Sequence, residues 1–159
     1  MSTTVPIPRQ IRRQLTPVIR TLTPLLDAGV LTHDGDLLAS LTCRATIEAA
    51  RRSITAQSAV YVAWDVRCCC RYVGSVCCRS STAVADRLGE HHQHPDDGLA
   101  RRSGWVLLTV LPIRADAAPR IVHAAEGWAA RFLAPLDGTA HPSIDLAQPP
   151  AALAASLAA

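Results

Sequence analysis

From Ile7 to Val30, apolar residues return every three or four positions: Ile7, Ile11, Leu15, Ile19, Leu22, Leu26 and Val30. That spacing predicts one face of a helix. Pro17 and Pro24 interrupt it, each preceded by a threonine (Thr16, Thr23). Thr-Pro suits an N-cap and first turn, so the expectation is a kinked helix or two to three short helices in series. Asp34-Gly35 between apolar pairs signals a hairpin. It reads equally as a loop in which Asp36 caps a second helix from Leu37 to about Gln57. Cys43, Ile47, Ala50 and Ile54 form that helix's apolar stripe.

Residues 59–78 are rich in β-branched and aromatic side chains, which predicts strands, with the break expected at Gly74-Ser75. Ser81 caps a short helix ending near Leu88. Residues 89–103 are polar and hold the clustered histidines. Trp105 to Ile113 is the short apolar run of a buried strand. Pro119 opens a helix with Ile121, Val122, Ala125, Trp128 and Phe132 on one side. Beyond Ala134, proline, glycine and alanine dominate. The pattern predicts an α+β fold in which an N-terminal kinked helix and a second helix pack with a short sheet. Residues 1–133 form a single domain, and 134–159 a disordered or loosely packed tail. An all-α fold is the alternative, since residues 59–73 could extend the preceding helix.

Composition changes this picture in two ways. All sixteen cationic side chains are arginine, and asparagine is absent. Lysine and asparagine share A-rich codons, so the bias points first to a GC-rich bacterial genome and only then to a need for guanidinium. Runs such as Cys68-Cys69-Cys70 and His91-His92 also arise when GC-rich DNA is read in an unselected frame. The sustained stripe over 7–30 argues against that origin for the N-terminal part. Second, aromatics are few, so a core of Ala, Val and Leu buries less area per residue. No apolar run is long enough to span a membrane, and no secretory signal opens the chain, so a cytoplasmic protein with reduced cysteines is expected.

The net charge of +3 is unevenly spread. Residues 1–80 hold ten arginines against five acids, and residues 81–159 six against eight. The basic half fits an acidic partner. Arg9, Arg12, Arg13 and Arg20 on the first helix, with Arg44, Arg51 and Arg52 on the second, are the residues expected to contact phosphates or carboxylates, because guanidinium forks match both. The leading expectation is a small basic accessory or regulatory protein that binds nucleic acid or another acidic partner. A protein-interaction module is a further reading, with the first helix docked in a partner's groove.

Cysteine and histidine supply the alternative chemistry. Twelve residues separate Cys78 from His91, the inner gap of a Cys2His2 finger, though the outer spacings depart from it. Cys77, Cys78, His91 and His94 are the candidate zinc ligands. No other cofactor is indicated. His123 and Glu126 share a helix face at i, i+3, and His94, Asp96 and Asp97 share a polar loop, without a further catalytic signature. No Gly-x-Ser-x-Gly and no phosphate-binding glycine loop occurs, so the chemistry leans away from an enzyme. The C-terminal Leu157-Ala158-Ala159 resembles the end of the bacterial tmRNA-encoded degradation tag, which implies recognition by a Clp-type AAA+ protease.

Overall fold

The computed structural model describes residues 6–27, 36–39, 57–77, 86–87, 104–137, 149–152 and 155. Its elements follow in the order α1 (Arg9–Asp27), β1 (Asp36–Ala39), β2 (Ser58–Trp64), β3 (Cys70–Cys77), β4 (Leu107–Ile113) and α2 (Pro119–Leu133). The fold is α+β: one antiparallel four-stranded sheet in the order β1-β4-β2-β3, with two long helices.

Helix α1 begins where the Pro8 carbonyl accepts the Arg12 amide at 2.9 Å. It then continues through both prolines as one helix, not as a series of short ones. A proline removes the amide that would bond the carbonyl four residues back. Here those carbonyls belong to Arg13 and Arg20, both exposed residues on the solvent side of the helix. The threonines do not cap new helices either. Thr16 Oγ1 donates to the Arg12 carbonyl and Thr23 Oγ1 to the Ile19 carbonyl, each at 2.9 Å, so both hydroxyls are spent inside α1. The buried stripe is Ile11, Leu15, Val18 and Leu22. It passes through Val18 and leaves Ile19 half-buried on its flank, because the 3.6-residue period calls for a step of three after Leu15.

Strands β2 and β4 form the middle of the sheet and are almost wholly buried. On one face Val60, Val62, Trp64, Val73, Leu111 and Ile113 join the stripes of α1 and α2 in a single core. Trp64 satisfies its indole there by donating to Thr109 Oγ1 at 3.0 Å. On the other face Ala59, Tyr61, Ala63, Leu108 and Val110 are also fully buried. This two-sided burial explains why β2 and β4 read as nearly continuous apolar runs.

The break between β2 and β3 falls at Asp65–Cys69, ahead of the expected Gly74-Ser75. Asp65 Oδ1 accepts the amides of Arg67 and Cys69 at 2.9 Å each, and Cys68 takes a left-handed φ of 60°. The Asp side chain thus builds the turn without glycine. Gly74 lies inside β3, opposite Tyr61, whose ring crosses it so closely that a Cβ would meet the phenol oxygen at 2.5 Å. It marks a close approach, not a turn.

Residues 36–39 pair with β4 as a strand, where the second reading of Asp34-Gly35 placed the first turn of a helix. A buried strand such as β4 needs backbone partners along both edges, and that demand outweighs the capping signal of Asp36. The remainder of that expected helix, from residue 40 to 56, lies outside the described residues. So does most of the expected helix at 81–88, of which Asp86 and Arg87 are helical.

Helix α2 opens with Pro119 and buries Ile121, Val122, Ala125, Gly127, Ala129, Ala130 and Leu133. Small residues along this face let the helix sit close to the sheet. Phe132, expected on the inner side, is 45% exposed. The stripe turns away from it after Ala129. The chain after α2 is tied to β3: the Leu136 amide donates to the Cys70 carbonyl (3.2 Å) and the Asp137 amide to the Arg71 carbonyl (2.6 Å). Among the described residues, no helix is long and apolar enough to cross a membrane.

Candidate functional site

The outer side of α1 carries the densest unneutralised charge in the described structure. Arg9, Arg12, Arg13 and Arg20 are all exposed, and no acidic residue precedes Asp27 on the helix. The inward stripe holds the helix in place, so the four guanidinium groups project from a fixed rod. Arg71 and Arg114, in contrast, are neutralised by Asp137 and Asp116.

Beside the arginines runs a groove of about 400 Å³, lined by Ile7, Arg12, Leu15, Thr16, Ile19, Arg20 and Thr23. Leu15 lies at its base, with Ile7 and Ile19 half-buried along it. The two threonine hydroxyls are already bonded to α1 carbonyls, which leaves the groove fewer polar atoms than its residue names suggest. Arg12 and Arg20 supply its charge. Sequence reasoning found the arginines and missed the groove. Thr16 and Thr23, seven residues apart and each before a proline, line the groove and do not cap new helices.

Arg44, Arg51 and Arg52 lie outside the described residues. Of the expected zinc ligands, Cys78, His91 and His94 do too. Cys77 is exposed and lines a separate cleft of about 700 Å³ with Gln57 and the 115–119 turn. Among the described residues, no group of three or more His, Cys, Asp or Glu side chains could hold a metal ion. The loop with His94, Asp96 and Asp97 and the Leu157-Ala158-Ala159 terminus also fall outside them.

Other polar groups are structural ties. Asp137 is buried and takes a two-pronged bond from Arg71 (Nε 3.0 Å, Nη2 2.8 Å) and one from the Trp105 indole (3.2 Å). Glu126 accepts the Ser75 hydroxyl at 2.5 Å, fastening α2 to β3, while His123 is exposed. Burial pushes the Cys70 thiol up to about 12 and raises the Tyr61 and Tyr72 phenols above their ordinary value. Cys70 is therefore a protonated core group at neutral pH, not a nucleophile.

The chain matches no protein-family model, no curated protein and no solved structure.

Proposed function

We propose that this protein acts by binding, taking nucleic acid or another acidic partner on the outer face of α1. One observation carries the reading: four exposed arginines stand on a helix whose inner face is locked into the core and which offers them no acid before Asp27. Charge left unneutralised by its own element attracts an outside anion, and guanidinium groups serve both phosphate and carboxylate.

The experiment is a salt titration. Binding of an oligonucleotide or polyanion to the full chain is measured from low to physiological salt. Four phosphate contacts predict a log–log slope of about −3 to −4 on duplex DNA through counterion release. Replacing Arg9, Arg12, Arg13 and Arg20 with Gln should flatten that slope toward zero, while the melting temperature stays unchanged. Binding indifferent to salt, or no binding to any polyanion at low salt, rejects the reading.

A further inference from the structure

We infer that the groove on α1 docks an acidic amphipathic helix from a partner protein; this rests on the reading of α1 as a face for acidic partners. Charge alone does not choose between phosphate and carboxylate. The groove does. A nucleic-acid backbone gains from Arg12 and Arg20 but finds no use for the half-buried Ile7 and Ile19 along the side. An amphipathic helix uses both, laying apolar side chains on the floor and carboxylates against the arginines.

The spacing defines the occupant further. Arg12 and Arg20 are eight residues apart on one helix, about 12 Å at 1.5 Å per residue. Carboxylates seven or eight positions apart on a docked helix meet that separation. Apolar residues at i, i+3, i+4 and i+7 cover the half-buried Ile7 and Ile19. The threonines suit this contact, because Thr16 and Thr23 have turned their hydroxyls back onto α1 and ask no hydrogen bond of the occupant. Charge complementarity commits the occupant to an acidic segment, since a basic or neutral helix would leave both arginines unanswered at the edge of an apolar contact.

The test uses the full chain and a labelled peptide of about five helical turns, with two Glu eight positions apart and Leu at the apolar positions. Its companions are a Leu→Ser peptide that keeps the charge, a Glu→Gln peptide that keeps the apolar face, and a labelled single-stranded DNA. Fluorescence anisotropy should show the parent peptide binding about tenfold tighter than either companion. Thr16→Gln fills the groove from an exposed position without altering charge, and Ile19→Thr removes part of its wall. Each should weaken the parent peptide about tenfold and leave DNA affinity within about twofold. Melting curves confirm that both variants fold, and Thr16→Gln alone decides the matter if Ile19→Thr does not. If the Leu→Ser peptide or the DNA binds as tightly as the parent, the groove proposal is overturned and the charged face stands by itself. If the chain instead dimerises and Thr16→Gln abolishes the dimer, a second copy is the occupant and the acidic-helix proposal fails. Silence from every probe at low salt rejects the binding face as well.

Discussion

Helices α1 and α2 pack on the same side of one sheet and share one core, yet they spend their surfaces differently. Helix α2 commits nearly half its residues to burial, and its Glu126 is engaged by Ser75 on β3. Helix α1 buries Ile11, Leu15, Val18 and Leu22 and leaves the remaining side to four arginines and a groove. Small residues explain part of this contrast. Ala125, Gly127, Ala129 and Ala130 let α2 lie close against its neighbours, whereas α1 meets the core through the larger Ile11, Leu15, Val18 and Leu22. Both helices are amphipathic, and α2 also exposes Arg120 and Arg131, but α1 gathers four exposed arginines on a polar face that carries no acid before Asp27. Amphipathicity alone therefore does not identify a binding helix; the concentration of arginine without counter-charge on the polar side does.

The sharpest way to break this contrast is to mutate both sides of α1. Leu22 is fully buried, so Leu22→Ala should cost about 2–5 kcal/mol through lost burial and a residual cavity. Arg13 is exposed, and Arg13→Ala should change stability by no more than about 0.5 kcal/mol. Urea denaturation of the two variants decides it. A large loss at Arg13 would mean that the arginine face supports the fold and is not available to a partner.

The next measurement asks how tightly the two helices cover the sheet. Cys70 lies in the core beneath them, and its thiol is raised from 9.0 to about 12 by burial. Below pH 9 the folded and unfolded chains both keep the proton, so the thiol exerts no pH-dependent effect. Between pH 9 and 12 the unfolded chain releases it and the folded chain does not. Stability therefore falls as pH rises, by up to about 1.4 kcal/mol per pH unit from this group. Tyr61 and Tyr72 add to the fall, so Cys70→Ala is the reference: its loss of stability between pH 8 and pH 10.5 should be smaller than that of the unaltered protein. At pH 8 iodoacetamide should label exposed Cys69 and Cys77 well before Cys70. Equal labelling rates would show that α1 and α2 lift readily from the sheet.

Legibility in the sequence followed the same division. Helix α2 and strand β4 were plain, because Pro119 fixes a helix start and Leu107–Ile113 is apolar apart from Thr109. The body of α1 was plain too, since four-residue steps dominate its pattern. What was hidden depends on partners distant in sequence. Strand β1 forms because β4 offers it an edge. Gly74 reads as a turn until Tyr61 is seen across it. Arg71 stands in the run of cysteines with no visible counterion, since Asp137 is supplied from beyond α2. Within the candidate site, the charge could be read from composition. The groove could not, because choosing Val18 over Ile19 for the core is a matter of helix phase, and that choice leaves Ile19 to line the groove.

The smallest effect concerns how α2 ends. Ala134 occupies the left-handed region with φ 46°, and its amide closes the last turn on the Ala130 carbonyl at 2.9 Å. Pro135 follows and prevents the helix from continuing. An L-residue with a Cβ costs about 1–2 kcal/mol in this conformation, and glycine avoids it while losing about 0.5–1 kcal/mol to greater freedom when unfolded. Ala134→Gly should therefore stabilise the protein by about 0.5–1 kcal/mol, read as a higher urea midpoint at constant slope. The matching change on α1 has no such benefit: Thr16→Gly, in the interior of a regular helix, should destabilise, as glycine does there by about 1 kcal/mol relative to alanine. If Ala134→Gly also destabilises, the left-handed turn is not what ends α2, and the tether from Leu136 and Asp137 to β3 must set the end of the helix.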